Sequence, residues 1–184
     1  MAIISRVELN LNGHYVIQVA NLDSRAAQTE LKQLKKAGSP IDEPAKACLL
    51  SKGGYVGHVL DKDQEYSVVI IPDSMIPPEV PRSVKGLCLW AHQTYDYTQT
   101  QGGIALRLRE MLSISPELME KLGLSYIAVL HRPIQETERV RRVFAVQLFE
   151  RGGFLVACVD DGKAWGEGVG FAFIDFNHQW SRRS

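Results

Sequence analysis

His92 opens the most unusual stretch of this chain, His92–Gly103, which reads HQTYDYTQTQGG. It is polar and amide-rich, carries two tyrosines and closes on a glycine pair. A histidine leaving a strand end for such a loop is well placed as a general base, because a rigid sheet positions the groups on its loops. Asp96, four residues on, would orient the imidazole, and Tyr95 would donate a proton. His131, leaving a later strand, would converge on the same edge. His92, Tyr95, Asp96 and His131 are thus the candidate catalytic set of a hydrolase or lyase. Nothing nearby fixes a nucleophile, and polar loops with His and Tyr are common in proteins that catalyse nothing.

A second candidate is the loop 162–170, GKAWGEGVG. Its glycines let a backbone approach a ligand closely, and Trp165 can stack on a base. Arg139, Arg141 and Arg142 could supply cations. Through Gly162, Gly166, Gly168 and Gly170 the loop resembles the glycine-rich loop near the C-terminus of the RAMP superfamily of CRISPR RNA-binding proteins. The likeness spans less than a tenth of the chain. It implies RNA or single-strand nucleic-acid binding, with Trp165, Gly166, Gly168, Arg139 and Arg142 as the ligand-binding residues. The preceding run reads as a strand where that family has a helix, and Asp160, Asp161 and Glu167 are acidic, the wrong sign for a phosphate backbone. A glycine-rich hairpin turn accounts for the same residues, and the chain is not assigned to that family.

The remaining chemistry is thinner. Five histidines show no paired spacing and no Cys–His cluster, so neither a metal nor a cofactor is expected. Cys48, Cys88 and Cys158 each sit inside an apolar run, where a thiol behaves as a small hydrophobe; their odd, dispersed number points to a reducing compartment. Gly102–Gly103 lacks the Lys and Ser of a phosphate loop and reads as a helix start. The 21 basic and 21 acidic residues cancel, within each half as well as overall, so no basic half advertises nucleic acid. With no motif of catalytic specificity, the leading expectation is a non-catalytic binding or accessory protein. It would recognise a protein partner, a second copy or a small ligand. No apolar stretch is long enough to span a bilayer and no cleavable signal pattern is present, so a cytoplasmic location is expected.

The elements that must position these residues follow from pattern. Four apolar runs between Ser125 and Phe176, SYIAVLH, RVRRVFAVQLF, FLVACV and VGFAFIDF, have the length and β-branched content of strands. Several are apolar at consecutive positions, so both faces of their sheet need cover. An N-terminal hairpin is expected to turn through Leu11–Asn12–Gly13, pairing Leu9 with Tyr15 and Val7 with Ile17. Further strands are expected at 47–50, 55–60, 66–71 and 86–91. Helices are expected at 25–36, capped by Asp23 or Ser24, at 104–112, and from Ser115–Pro116 to Gly123. The expected architecture is α+β: a mainly antiparallel sheet of hairpins, with about three helices packed on one side. Residues 1–184 form a single domain, with the proline-rich segment 72–81 as a possible subdomain boundary.

Overall fold

The computed structural model describes residues 2–21, 25–51, 54–135, 137–149, 153–161 and 165–180. The expected cap residues Asp23 and Ser24, Gly162 of the glycine-rich loop, and residues 52, 53 and 181–184 lie outside these. In chain order the elements are β1 (Ala2–Leu9), β2 (Tyr15–Asn21), α1 (Ala27–Lys36), α2 (Glu43–Leu50), β3 (Gln64–Pro72), α3 (Val84–Tyr95), α4 (Gly103–Ile114), α5 (Glu117–Leu122), β4 (Tyr126–Val129), β5 (Ile134–Gln135), β6 (Arg141–Leu148), β7 (Phe154–Asp160) and β8 (Val169–Ile174). This is an α+β fold built on one mostly antiparallel sheet.

The sheet runs β1-β2-β3-β8-β4-β6-β5, with β7 on the other side of β6. Every pairing is antiparallel except β4 with β8. The C-terminal block is therefore not a simple meander. β8, the last strand in sequence, inserts between β3 and β4, and all six of its residues are buried. The first hairpin has the expected register, Val7 opposite Ile17 and Leu9 opposite Tyr15, with Gly13 at φ 76° in the left-handed region.

Consecutive apolar positions feed two separate cores. Val68, Ile70, Ile127, Val129, Phe144 and Val146 face α1, α2, α4 and α5. Val69, Ile71, Ala128, Leu130, Val143 and Phe171 face α3 and the proline-rich segment. Both faces are covered, as the runs require. Among the described residues the α-helices number five, where about three were expected, and they lie on both sides of the sheet, not on one. Two of them replace expected strands. Residues 47–50 belong to α2, whose N-cap Asp42 accepts from the Ala45 amide at 2.7 Å and whose first turn carries Pro44. Residues 86–91 belong to α3, capped by the Ser83 hydroxyl on Gly86 N–H. A third expected strand, 55–60, holds only a 3-10 turn at Val56–His58. α1 starts from Ala26 without a side-chain cap.

The proline-rich segment is fastened by Arg82. Its guanidinium meets Asp73 at 2.7 Å and the carbonyls of Ile76, Pro77 and Val80 at 2.8–3.0 Å. On the opposite face a buried ionic cluster ties α1 to α4. Arg107, 1% exposed, donates to Glu30 and, at 3.0 Å, to both carboxylate oxygens of Glu110. Arg25 donates to Glu110 at 2.7 Å. Two guanidinium groups and two carboxylates balance, the condition under which charges tolerate burial. No described helix is long and apolar enough to cross a membrane.

Candidate functional site

α3 ends because Asp96 takes the left-handed conformation, φ 61°, which an aspartate tolerates better than most residues. The Asp96 and Tyr97 amides close the last turn on the carbonyls of His92 and Ala91. The chain then runs extended over the edge of the sheet. Thr98 exchanges two backbone hydrogen bonds with Ile174 at the end of β8, and the Thr100 amide donates to Leu130 just past β4. Because β4 and β8 are parallel, their C-terminal ends lie side by side, and residues 97–101 form a strap across both.

The strap re-enters the fold at Gly102–Gly103, and the glycines are there for space. A Cβ on Gly102 would sit 3.0–3.2 Å from Phe144 and His58, and one on Gly103 would sit 2.7 Å from the His58 carbonyl. The Gly102 amide donates to Nδ1 of His58 at 3.1 Å. The glycine pair thus serves close packing of the α4 N-terminus.

Three cavities surround this strap. The first, about 500 Å³, lies between α3 and the β5–β6 hairpin, lined by Val84, Lys85, Cys88, Leu89, His92 and Arg141 together with Tyr97–Gln99 of the strap. The second, about 620 Å³, is polar and is lined by Asn10, Asn12, Tyr95, Asp175, Asn177 and His178. The third, about 390 Å³, is lined by His58, Thr100, Gln101, Arg132 and Gln135. Ligands of open sheets bind beyond the carboxyl ends of parallel strands, and the strap occupies that position here.

Of the expected catalytic set, His92, Tyr95 and Asp96 come together on the last turn of α3, so His92 leaves a helix and not a strand. His92 Nδ1 lies 3.4 Å from Asp96 Oδ1, with about 60% of the histidine side chain exposed. Tyr95 turns the other way, stacking on Tyr97 with ring centres 5.2 Å apart and meeting His14 edge-on at 4.8 Å. His131 does not join them. It is fully buried beneath the strap, its Nε2 accepting from the Phe144 amide at 2.8 Å and its Nδ1 donating to the Arg132 carbonyl at 2.7 Å. Burial, with neighbouring His58, pushes it down to about 3. Both ring nitrogens of His131 are committed inside the protein. Cys88 lines the α3 cleft, but burial and the charge of Asp161 push its thiol up to about 12, away from nucleophilic thiolate.

The expected nucleic-acid residues are dispersed. Trp165 donates its indole N–H to the Arg82 carbonyl at 2.6 Å and packs edge-on against Phe171. The Gly166 amide donates to the Tyr126 hydroxyl at 3.0 Å, and Gly168, at φ 71°, lies tight against Ser125. Arg142 meets Asp160 at 3.2 Å, and Arg139 is exposed in the β5–β6 turn. By strand register Arg142 lies beyond the C-terminal end of β4 and Gly168 before its N-terminal end. Among the described residues no three His, Cys, Asp or Glu side chains gather as a metal ligand set.

Two groups of residues escape a reading by local type. Lys85, Cys88, Leu89 and His92 share one helical face, a signal present in their spacing but hidden when 86–91 is read as a strand. Tyr97 is the other: its hydroxyl gathers the side chains of Asn10, Asn12 and His14 at 2.5, 3.1 and 3.0 Å, joining the first hairpin turn to the strap. Contacts across more than eighty residues leave no local trace. No family model, curated protein or solved structure matches the chain.

Proposed function

We propose that this is a non-catalytic binding protein whose ligand, a small amphipathic anion, sits in the cleft between α3 and the β5–β6 hairpin. The observation that carries this reading is the lining of that cleft. Val84, Leu89, Tyr97 and Pro133 give it an apolar wall, while Lys85 and Arg141 stand at its rim with no carboxylate partner among the described residues. Among the described residues Asp161 is the one acidic residue lining it, and that carboxylate is engaged by the Val84 amide at 2.9 Å. A concave apolar surface with a few convergent polar groups is the usual form of a small-ligand site.

The fluorescent sulfonate 8-anilino-1-naphthalenesulfonate, an apolar body with one negative charge, tests it. Saturable one-to-one binding is expected, and Lys85→Glu with Arg141→Glu should weaken it at least tenfold without altering the circular dichroism. Binding that is absent, or equal in the variant, would overturn the reading.

A hydrolase reading is supported by His92, which lines the same cleft and has Asp96 3.4 Å from its Nδ1. Turnover of an ester panel that disappears in His92→Ala would favour it over simple binding. Nucleic-acid recognition draws less support, because Trp165 and Arg142 are engaged with other parts of the protein.

A further inference from the structure

The third cavity lies under the other end of the strap and shares with the α3 cleft only Pro133. Among the described residues its lining contains no acidic side chain. His58, 7% exposed, receives the Gly102 amide on Nδ1, so its ring proton resides on Nε2 and the imidazole is a neutral donor. That Nε2–H has no hydrogen-bond partner among the described residues. Thr100 lines the same cavity, is 6% exposed, and has a buried hydroxyl without a partner. Arg132 extends an exposed guanidinium that no described carboxylate neutralises, and its charge is felt at His58, where it adds to burial in lowering the imidazole. The backbone beneath these groups is fixed, because the Thr100 amide is bound to Leu130 and the Arg132 carbonyl to His131.

Buried polar groups in folded proteins find partners in protein, water or a bound ligand. One full positive charge and two neutral donors, with no facing carboxylate among the described residues, select an acceptor with negative charge. Arginine with neutral donors is the usual company of carboxylate and phosphate groups. The cavity is also much larger than a bare ion and falls in the size range of small-ligand sites. We propose that it binds the oxyanion end of a small ligand, a carboxylate or a tetrahedral phosphate-like group, through Arg132, Nε2–H of His58 and the Thr100 hydroxyl.

The full chain, ¹⁵N-labelled, would be titrated separately with sodium sulfate and sodium acetate at constant ionic strength. The amides of Gly57, Thr100, Gln101 and Gly102 would be followed. Saturable shifts confined to this group are expected from at least one anion; sulfate acting alone identifies a tetrahedral group and acetate alone a carboxylate. Arg132→Gln changes an exposed residue and should weaken the affinity at least tenfold. Thr100→Val removes a hydroxyl that holds nothing in the fold, so it should weaken the anion at least threefold and leave the unfolding temperature without anion undiminished. Lys85→Glu should change neither result. No saturable shift with either anion, or an Arg132→Gln titration superimposable on wild type, would overturn the proposal. So would Thr100→Val if it lowers stability but leaves affinity unchanged, because the hydroxyl would then serve the fold.

Discussion

Nδ1 of His14 lies 3.0 Å from the hydroxyl oxygen of Tyr97, and the other partners of that oxygen decide where the protons are. Asn10 Oδ1 accepts the backbone amides of Asn12 and His14, which turns its NH₂ toward Tyr97, and the Asn12 side chain donates to the same oxygen. With both lone pairs filled, the phenol O–H must donate, and His14 must accept as a neutral ring. Four side chains thus meet at one hydroxyl whose donor and acceptor sites are all used, joining the β1–β2 turn to the strap.

Tyr97→Phe leaves two amide donors and an imidazole without their common partner. Of these only the His14 imidazole is buried, and one stranded buried group costs about 1–3 kcal/mol. The variant should unfold at lower urea and exchange the amides of residues 10–14 faster than wild type. Unaltered exchange there would show that the junction is not what holds the turn.

The same histidine belongs to a set that makes stability pH-dependent. His14, His58 and His131 are all lowered from 6.5 by burial, the last to about 3. Above 6.5 neither the native nor the unfolded chain protonates them, and stability is complete. Below 6.5 the unfolded chain takes up protons that the native form refuses. Stability should then fall by up to about 1.4 kcal/mol per pH unit for each histidine, until the folded values are passed. Glu30, raised by burial, acts in the opposite sense and offsets part of the loss in more acid solution. Urea midpoints that decline between about pH 6.5 and 5.5, but not between 7.5 and 6.5, are the expected pattern. A flat profile would contradict the neutral assignment.

Arg107→Met should be among the most damaging single changes on the α1–α4 face. It leaves the carboxylates of Glu30 and Glu110 short of one of their two guanidinium partners, with Arg25 still beside both, and breaking one side of a buried ionic pair costs about 3–5 kcal/mol. Adding Glu30→Leu should recover much of that loss, which a thermodynamic cycle by urea denaturation would measure. Additive losses would mean that the two residues do not act as a pair.

Gly103→Ala separates the packing role of the glycine pair from a ligand role. Its new methyl would meet the His58 carbonyl at 2.7 Å, a backbone atom that cannot swing aside. A loss of about 1–3 kcal/mol is expected, the range for overpacking a filled site. Wild-type stability in this variant would refute the close-packing account.

Much of the sheet was legible because its strands are short, β-branched and bounded by turn residues. The register of the first hairpin followed from placing Val7, Leu9, Tyr15 and Ile17 on one face. α2 and α3 were misread because CLL and GLCLW are short apolar runs, which period alone assigns to either state. Their caps were nonetheless written in the chain: Asp42 ahead of Pro44, and Ser83 ahead of Val84, Leu87, Cys88 and Ala91 at helical spacing. The unusual segment after His92 was visible from composition, but its role as a strap was not. That role depends on β4 and β8 lying parallel, a pairing between residues forty apart. His131 was drawn into the candidate set by its place at a strand end. Nothing local says that both its nitrogens are occupied.

The two sheet edges are treated differently: Pro40–Asp42 shields β7 by bonding to Val156, whereas β1 ends the sheet on the other side. The place of β8 has a deeper consequence for how the chain is made. A ribosome releases β1–β3 and then β4–β7 as two unjoined ribbons, since the strip that fits between them is translated after both. Until residues 169–174 emerge, the sides of Ile71 and Ala128 that face β8 have no strand to close against, and the nascent protein must wait for its own keystone.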